Sequence, residues 1–335
     1  MRELTSDTIT DAVIEQMATT PDARLMAIQT AAVKHLHAFA RETNLTPAEW
    51  FAGIEFMTKV GKMCTPERQE FILLSDTVGL SALVNFLHDK TAMEDATHTS
   101  LLGPFYRENA PVLPAGSQIA KKVKPGSECL LYGRVTDVRG KPIAGARVSV
   151  WQTSADGLYD IQESATEVDY RGVFSTDADG RYIVRTVVPI GYSIPMDGPV
   201  GAMIRAQKRH GMRPAHIHFL VGAPGYRELV TALYLRNDPY LASDTVFGSS
   251  ADLAIDLVAN DANAPVKGLP AMHFDMSLAR EGAVGTGRVG ADPSQIVKPA
   301  VVAKSAPAAR AIATAATNAA TAPQRRGFFS ALFGR

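Results

Sequence analysis

Two histidines, His216 and His218, stand one residue apart in the run Arg213-Pro214-Ala215-His216-Ile217-His218-Phe219-Leu220-Val221. The run is rich in strand-forming residues, and on a strand side chains i and i+2 leave the same face. Both imidazoles can then reach one ion, while Ile217, Phe219 and Val221 supply the opposite, buried face. His35 and His37 repeat the spacing in a helical segment, where two residues turn the chain by roughly 200°. Their rings point apart and cannot share a metal. Further ligands for the first pair must come from elsewhere. An aspartate or glutamate would complete a facial triad for ferrous iron. Tyr159, in the turn Asp156-Gly157-Leu158-Tyr159-Asp160, and Tyr192, in the irregular loop Pro189-Ile190-Gly191-Tyr192-Ser193-Ile194-Pro195, offer a second set. A free phenol has a pKa near about 10. A bound cation favours the phenolate, a hard ligand suited to ferric iron.

The elements that must position these groups fall into three parts. The first hundred residues read as helical. Thr20-Pro21, Thr46-Pro47 and Thr65-Pro66 each set a capping hydroxyl before a proline suited to the first turn, and Thr46 with Glu49 forms a capping box. Leu25, Ile28, Ala32, Leu36 and Phe39 recur at helical spacing and predict one buried stripe. The stretch from Phe71 to Leu87 is apolar nearly all round, which predicts burial inside the protein or against a partner subunit. From about Leu101, turn signals such as Arg139-Gly140, Asp179-Gly180 and Pro224-Gly225 separate short β-rich runs at 130–135, 146–151, 182–188, 216–221 and 230–235. Short strands without intervening helices predict an α+β chain in which a helical part precedes an antiparallel β-sandwich. The run Gly133-Arg134-Val135-Thr136-Asp137 with Gly140 to Ala146 suits any sandwich, including a non-catalytic binding module. From about Ala283 the text becomes Ala-rich, predicting a mobile tail that closes on an apolar, basic segment, Gln324 to Arg335. The segment is either a frayed terminus or a docking element for a partner or a membrane surface.

Composition excludes several classes. The 34 basic and 34 acidic residues cancel, so nothing suggests an electrostatic grip on nucleic acid. Two cysteines, Cys64 and Cys129, make a disulfide framework or a Cys-rich zinc site implausible. There is no secretory signal and no apolar run of membrane-spanning length. A cytoplasmic protein without a membrane span is the expectation.

Taken together, Gly157-Leu158-Tyr159, Tyr170-Arg171-Gly172, Thr176 to Tyr182, Pro189 to Pro195 and Arg213 to Phe219 resemble, in order and spacing, the intradiol ring-cleaving dioxygenases. The resemblance covers roughly residues 10–280. It implies ferric iron, Fe(III), held by Tyr159, Tyr192, His216 and His218, with Tyr159 remaining on the metal and Tyr192 leaving as substrate binds. Arg213 would stabilise charge developing on the ring. The implied reaction opens a vicinal-diol aromatic with O2, turning hydroxyquinol into maleylacetate or catechol into cis,cis-muconate. A different histidine-based metalloenzyme and a binding module are the competing classes. The implied layout is a helical dimerisation and pocket-lining domain at 1–100, a catalytic domain at 101–283 and a tail at 284–335.

The same resemblance places Leu73, Asp76, Leu101, Leu102, Gly103, Pro104, Phe105, Ile194 and Pro195 around the substrate. In the hydroxyquinol-cleaving branch an aspartate faces the third hydroxyl, and Asp76 matches it. The stretch Asp238-Pro239-Tyr240 with Ser243 to Gly248 resembles the hydroxyquinol and chlorocatechol branches. A homodimer with a lipid between the helical parts is also implied. One departure stands out: Ala232 occupies a position that is polar in relatives, which predicts altered oxygen or substrate handling.

Overall fold

The computed structural model describes residues 3–65, 68–89, 96–121, 123, 127–164 and 166–281. The segment 284–335, expected to form a tail, lies outside these residues. The chain divides between Lys59 and Val60 into two compact units. The first carries α1 (Ile9–Met17), α2 (Ala23–Glu42) and most of α3 (Pro47–Lys62). The capping box is present at α3, where Thr46 N–H donates to the Glu49 carboxylate at 3.0 Å and Glu49 N–H to Thr46 Oγ1 at 3.3 Å. At α2 the cap is Asp22, not Thr20. Its carboxylate accepts from the Arg24 and Leu25 N–H groups at 2.8 and 2.9 Å, and a charged acceptor outcompetes a hydroxyl for these donors. The stripe on α2 expected to be buried is exposed instead: Leu25, Ile28, Leu36 and Phe39 are each 45–65% accessible. α2 holds α1 through other groups, Thr10 Oγ1 against His37 Nδ1 at 2.9 Å and Arg41 against the Ser6 carbonyl at 2.6 Å.

The second unit begins with α4 (Glu70–Thr77) and α5 (Leu80–Asp89), which meet at a 71° bend. The apolar run from Phe71 to Leu87 is therefore two helices, broken at Gly79, whose φ of +76° favours glycine. It begins at Glu70 rather than at Thr65-Pro66, and Pro66 lies outside the described residues. The run does not form an interior. Phe71, Val78, Leu80, Leu83, Val84, Phe86 and Leu87 are each 43–57% exposed. Among the described residues no single helix is long and apolar enough to cross a membrane, although the bent α4–α5 pair passes that test together by length and composition.

The strands are β1 (Glu128–Asp137), β2 (Arg147–Gln152), β3 (Arg171–Ser175), β4 (Arg181–Val187), β5 (Tyr192–Ser193), β6 (Met212–Arg213), β7 (His216–Gly222), β8 (Leu229–Leu235), β9 (Ala254–Ile255), β10 (Ala271–His273) and β11 (Met276–Leu278). Two short helices interrupt them, α6 (Asp160–Glu163) and α7 (Pro199–Ala206). One sheet runs β3-β2-β7-β8-β9. The second centres on β1, with β4 beside it and β10 and β11 also paired to it. The five strand segments expected from sequence are β1, β2, β4, β7 and β8, within a few residues at each end. The expectation of a purely antiparallel arrangement is corrected: β10 and β11 run parallel to β1, and β9 runs parallel to β8. These are short strands reached by long connections, which local periodicity cannot orient. Leu131 and Val135 of β1, Val184 of β4, Val148 and Val150 of β2, and Ile217, Phe219 and Val221 of β7 join one buried cluster.

Candidate metal centre

β7 is buried along nearly its whole length, and its two faces do different work. Ile217, Phe219 and Val221 enter the main core. His216 and His218 leave the other face, both 2% exposed, with their Nε2 atoms 3.2 Å apart. The period-two geometry read from the sequence is what the structure contains.

The tyrosines come from outside this sheet. Tyr159 caps α6 in extended conformation, fully buried, and its N–H donates to Gln162 Oε1 at 2.9 Å. Asp160, the next residue, forms a buried ion pair with Arg171, whose Nη1 also donates to the Phe105 carbonyl at 3.0 Å. This pair fixes the turn that aims Tyr159. Tyr159 Oη lies 3.3 Å from His216 Nε2, and its ring meets that of Tyr192 edge-on with centroids 5.7 Å apart. Tyr192 does not lie in an irregular loop: it opens β5, directly opposite Arg213 of β6. That pairing brings Arg213 Nη1 to 3.4 Å from Tyr192 Oη and 3.2 Å from His216 Nε2. Tyr159, Tyr192, His216, His218 and Arg213 are thus assembled from three separate pieces of chain.

Burial and the Arg213 charge dominate the electrostatics of the cluster. Burial, with the nearby Arg213 charge, drives the His216 pKa well below its ordinary value; burial, with His216 and Arg213, does the same to His218. Both rings are therefore neutral. His216 Nδ1–H donates to the Pro214 carbonyl at 2.6 Å, which leaves its Nε2 lone pair directed into the cluster. Burial, then the neighbouring Tyr192, pushes the Tyr159 pKa well above that of an ordinary phenol. It becomes a phenolate only beside a positive charge. Ligand atoms held about 2.0–2.2 Å from one ion lie about 3 Å from each other, and the 3.2 and 3.3 Å separations match that spacing. The donor set of two imidazoles and two phenols fits a hard trivalent ion. Among the described residues no three His, Cys, Asp or Glu side chains converge, so the histidine pair lacks the carboxylate of a facial triad.

Sequence reasoning missed several partners of this cluster. Trp151 of β2 stacks on His218, with ring centroids 5.0 Å apart and planes 5° from parallel. Asp244 pairs with Arg213 at 3.1 and 3.2 Å. Burial works to lower the Arg213 pKa, but Asp244 and the surrounding phenols raise it well above the usual value. Tyr234 is fully buried opposite His216, and its hydroxyl lies 3.3 Å from Arg213 Nη2 and 3.0 Å from Ser100 Oγ. Gly248 closes this corner, because a Cβ there would sit 3.0 Å from both Tyr234 Oη and Arg213 Nη2. Tyr234 was accessible to period-two reading of β8. Asp244 was not, since nothing local ties it to an arginine 31 residues away.

The expected pocket residues divide into two groups. Leu101 and Ile194 are buried together with Val246, and Leu73 packs on them. Leu102 and Phe105 pack with Tyr159 and Trp151, and the Phe105 ring stacks on Tyr159 at 4.4 Å. Gly103 has a φ of +71°, and a Cβ there would lie 3.6 Å from His218 Nε2, so the backbone passes close to that imidazole nitrogen. Pro195 is half-buried and Pro104 is exposed. Asp76, on α4, is 7% exposed; burial raises its pKa, opposed by a hydrogen bond to Ser81 and the Arg213 charge. Ala232 is fully buried directly opposite His218.

Comparison with known proteins accords with this constellation. Residues 101–280 match the family described as Dioxygenase, and residues 22–96 match Catechol dioxygenase N terminus. The chain is 49% identical to the 6-chlorohydroxyquinol 1,2-dioxygenase of Cupriavidus pinatubonensis, over 77% of this chain and 93% of that protein. It is 42% identical to the hydroxyquinol 1,2-dioxygenase of Rhodococcus opacus, over 82% of this chain and 93% of that protein. The solved hydroxyquinol 1,2-dioxygenase of Pseudomonas putida DLL-E4 superposes with a TM-score of 0.77 at 40% identity, covering 82% of this chain and 99% of that one. The chain belongs to the intradiol ring-cleaving dioxygenases, enzymes that open an aromatic diol between its two hydroxyls.

Proposed function

We propose that Tyr159, Tyr192, His216 and His218 hold ferric iron and that the preferred substrate is hydroxyquinol, opened to maleylacetate. The observation that carries the metal assignment is the convergence of Tyr159 Oη and His218 Nε2 on His216 Nε2 at 3.3 and 3.2 Å, with Arg213 beside them. Ferric iron held by these four residues would supply the Lewis acidity that makes an aromatic diol reactive towards dioxygen. Tyr159, fully buried and clamped by the Asp160–Arg171 pair, stays in place. Tyr192 is less buried and sits on a two-residue strand, so it is free to swing away and take a proton from the incoming diol. Arg213 Nη1 donates towards negative charge developing on the substrate, in a dry site where such a donor acts strongly. Leu73, Leu101, Ile194 and Pro195 line one side of the ring, with Leu102, Gly103, Pro104 and Phe105 on another. Asp76 meets the third hydroxyl, since a buried carboxylate gains from a donor partner. Ala232 leaves the position beside His218 without a hydrogen-bonding group.

Residues 101–283 form the catalytic domain, its two sheets packed as a sandwich, and residues 1–100 the dimerisation and pocket-lining part of a cytoplasmic homodimer. The exposed apolar faces of α2, α4 and α5 support that assembly, with a lipid held between subunits. One experiment tests the metal and the substrate together. The iron-loaded protein is expected to be wine-red from phenolate-to-iron charge transfer, and to take up oxygen faster with hydroxyquinol than with catechol or chlorocatechols. Colourless protein containing stoichiometric iron would overturn tyrosinate ligation. Equal or greater turnover of catechol would overturn the substrate assignment.

A further inference from the structure

α7 is clamped to α4 at both ends. At its start, the Val200 N–H donates to Glu70 Oε1 at 3.2 Å. Glu70 is fully buried and paired with Arg68 at 3.0 Å, and Arg68 also holds Asp197 at 2.9 Å. At its end, Lys208 adopts the left-handed conformation, φ +57°, and the Arg209 N–H donates to the Ile204 carbonyl at 3.1 Å. This is a Schellman-type closure. The turn carries the Arg209 guanidinium to two distant carbonyls. Nη1 donates to Thr77 O at 2.9 Å and Nη2 to Thr245 O at 2.8 Å, with the Phe247 ring 5.2 Å from the guanidinium carbon.

Those two carbonyls belong to the residues that follow Asp76 and Asp244. Asp76 is the carboxylate placed against the third hydroxyl, and Asp244 is the ion-pair partner of Arg213. Asp76 feels the charges of both Arg213 and Asp244, so the three form one electrostatic group. They reside on separate elements: α4, whose opposite face is exposed, β6, and the loop after β8. A planar fork joining the backbones beside two of the three holds their spacing, a task a single ammonium group cannot perform.

We propose that Arg209 is a positioning residue for substrate selection, which ties the end of α4 to the Asp244 loop and so sets where Asp76 stands relative to Arg213. The inference rests on the reading of Asp76 given above. Its test uses full-length, iron-loaded enzyme, with kcat and KM measured for hydroxyquinol and for catechol. Arg209→Met is expected to lower the hydroxyquinol-over-catechol ratio of kcat/KM by about tenfold, since small misplacements of a recognition group have effects of this order or larger. The change should appear in the KM for hydroxyquinol, with the visible absorption band unchanged. Arg209→Lys, which keeps the charge and reaches one carbonyl, should show a smaller fall in the same ratio; should Arg209→Met be insoluble, this variant carries the test. An unchanged ratio, or equal losses for both diols, would overturn the proposal, because a merely structural tie does not distinguish substrates. Asp76→Asn is measured in parallel. If it preserves the ratio, the reading of Asp76 fails and the role of Arg209 with it. If it collapses the ratio while the Arg209 variants do not, Arg209 alone is overturned.

Discussion

The β7–β8 pair and the α4–α5 pair are both strongly apolar, yet they use that character in opposite ways. On β7 every residue from His216 to Val221 is buried; His216 Nδ1 is matched by the Pro214 carbonyl, the two Nε2 atoms lie 3.2 Å apart, and the His218 ring stacks on Trp151 while its Nδ1 has no hydrogen-bond partner. On α4 and α5 a row of large side chains stays about half exposed, and only Leu73, Asp76 and a few others turn inward. The first arrangement makes each substitution costly, because a buried charge or polar atom loses its partner. The second makes substitution nearly neutral for the fold while leaving a surface that another molecule can cover. On the function proposed above, chemistry belongs to the rigid region and association to the permissive one.

Arg213→Met should break the rigid region most severely. It leaves the Asp244 carboxylate buried without its cation, which costs about 3–5 kcal/mol, and removes a donor expected to be worth about 100- to 1000-fold in kcat. Steady-state kinetics and thermal melting check both halves. Retained activity would show that Arg213 is a structural ion alone.

A milder probe is pH. His216 and His218 have folded pKa values well below 6.5, their ordinary value. The unfolded chain therefore binds more protons than the native one below that pH, and stability rises with pH. Their contribution is fully present above about 6.5 and is lost as the pH falls towards the folded values. Denaturant melts of the metal-free protein from pH 7.5 to 5 should show this decline, and a His216→Gln/His218→Gln double variant should flatten it.

The permissive region should give the smallest change in stability. Val84→Glu with Leu87→Lys is expected to shift the folding free energy of the monomer by less than about 0.5 kcal/mol, as exposed substitutions usually do. Size-exclusion and light scattering should nonetheless report a dimer for the parent and a monomer for the variant. A large loss of melting temperature in a protein that remains dimeric would show that this face is not the subunit interface.

Much of the cluster around His216 and His218 was legible in the sequence, and the reason differs residue by residue. The histidine pair was readable because strand geometry has a period of two. Tyr159 and Tyr192 carried only a family resemblance, since neither lies at a spacing that local geometry could connect to β7. The stripe expected to be buried on α2, and the run from Phe71 to Leu87 expected to be buried inside the protein or against a partner subunit, are both exposed in the single chain for one reason. Periodicity reports that a face is apolar, not what covers it. The parallel strands β9, β10 and β11 are two or three residues long, too short for any pattern to give direction.

By itself, then, the sequence determined the local geometry: which residues share a strand face, where α3 starts, and that one face of β7 is core. Tertiary structure alone decided the convergence. The β5–β6 pairing sets Tyr192 across from Arg213, the Asp160–Arg171 pair aims Tyr159, Asp244 and Tyr234 reach Arg213 from a loop and a neighbouring strand, and Arg209 ties Thr77 to Thr245. Long-range contacts of this kind depend on how the elements pack around a common core, and no local spacing encodes them.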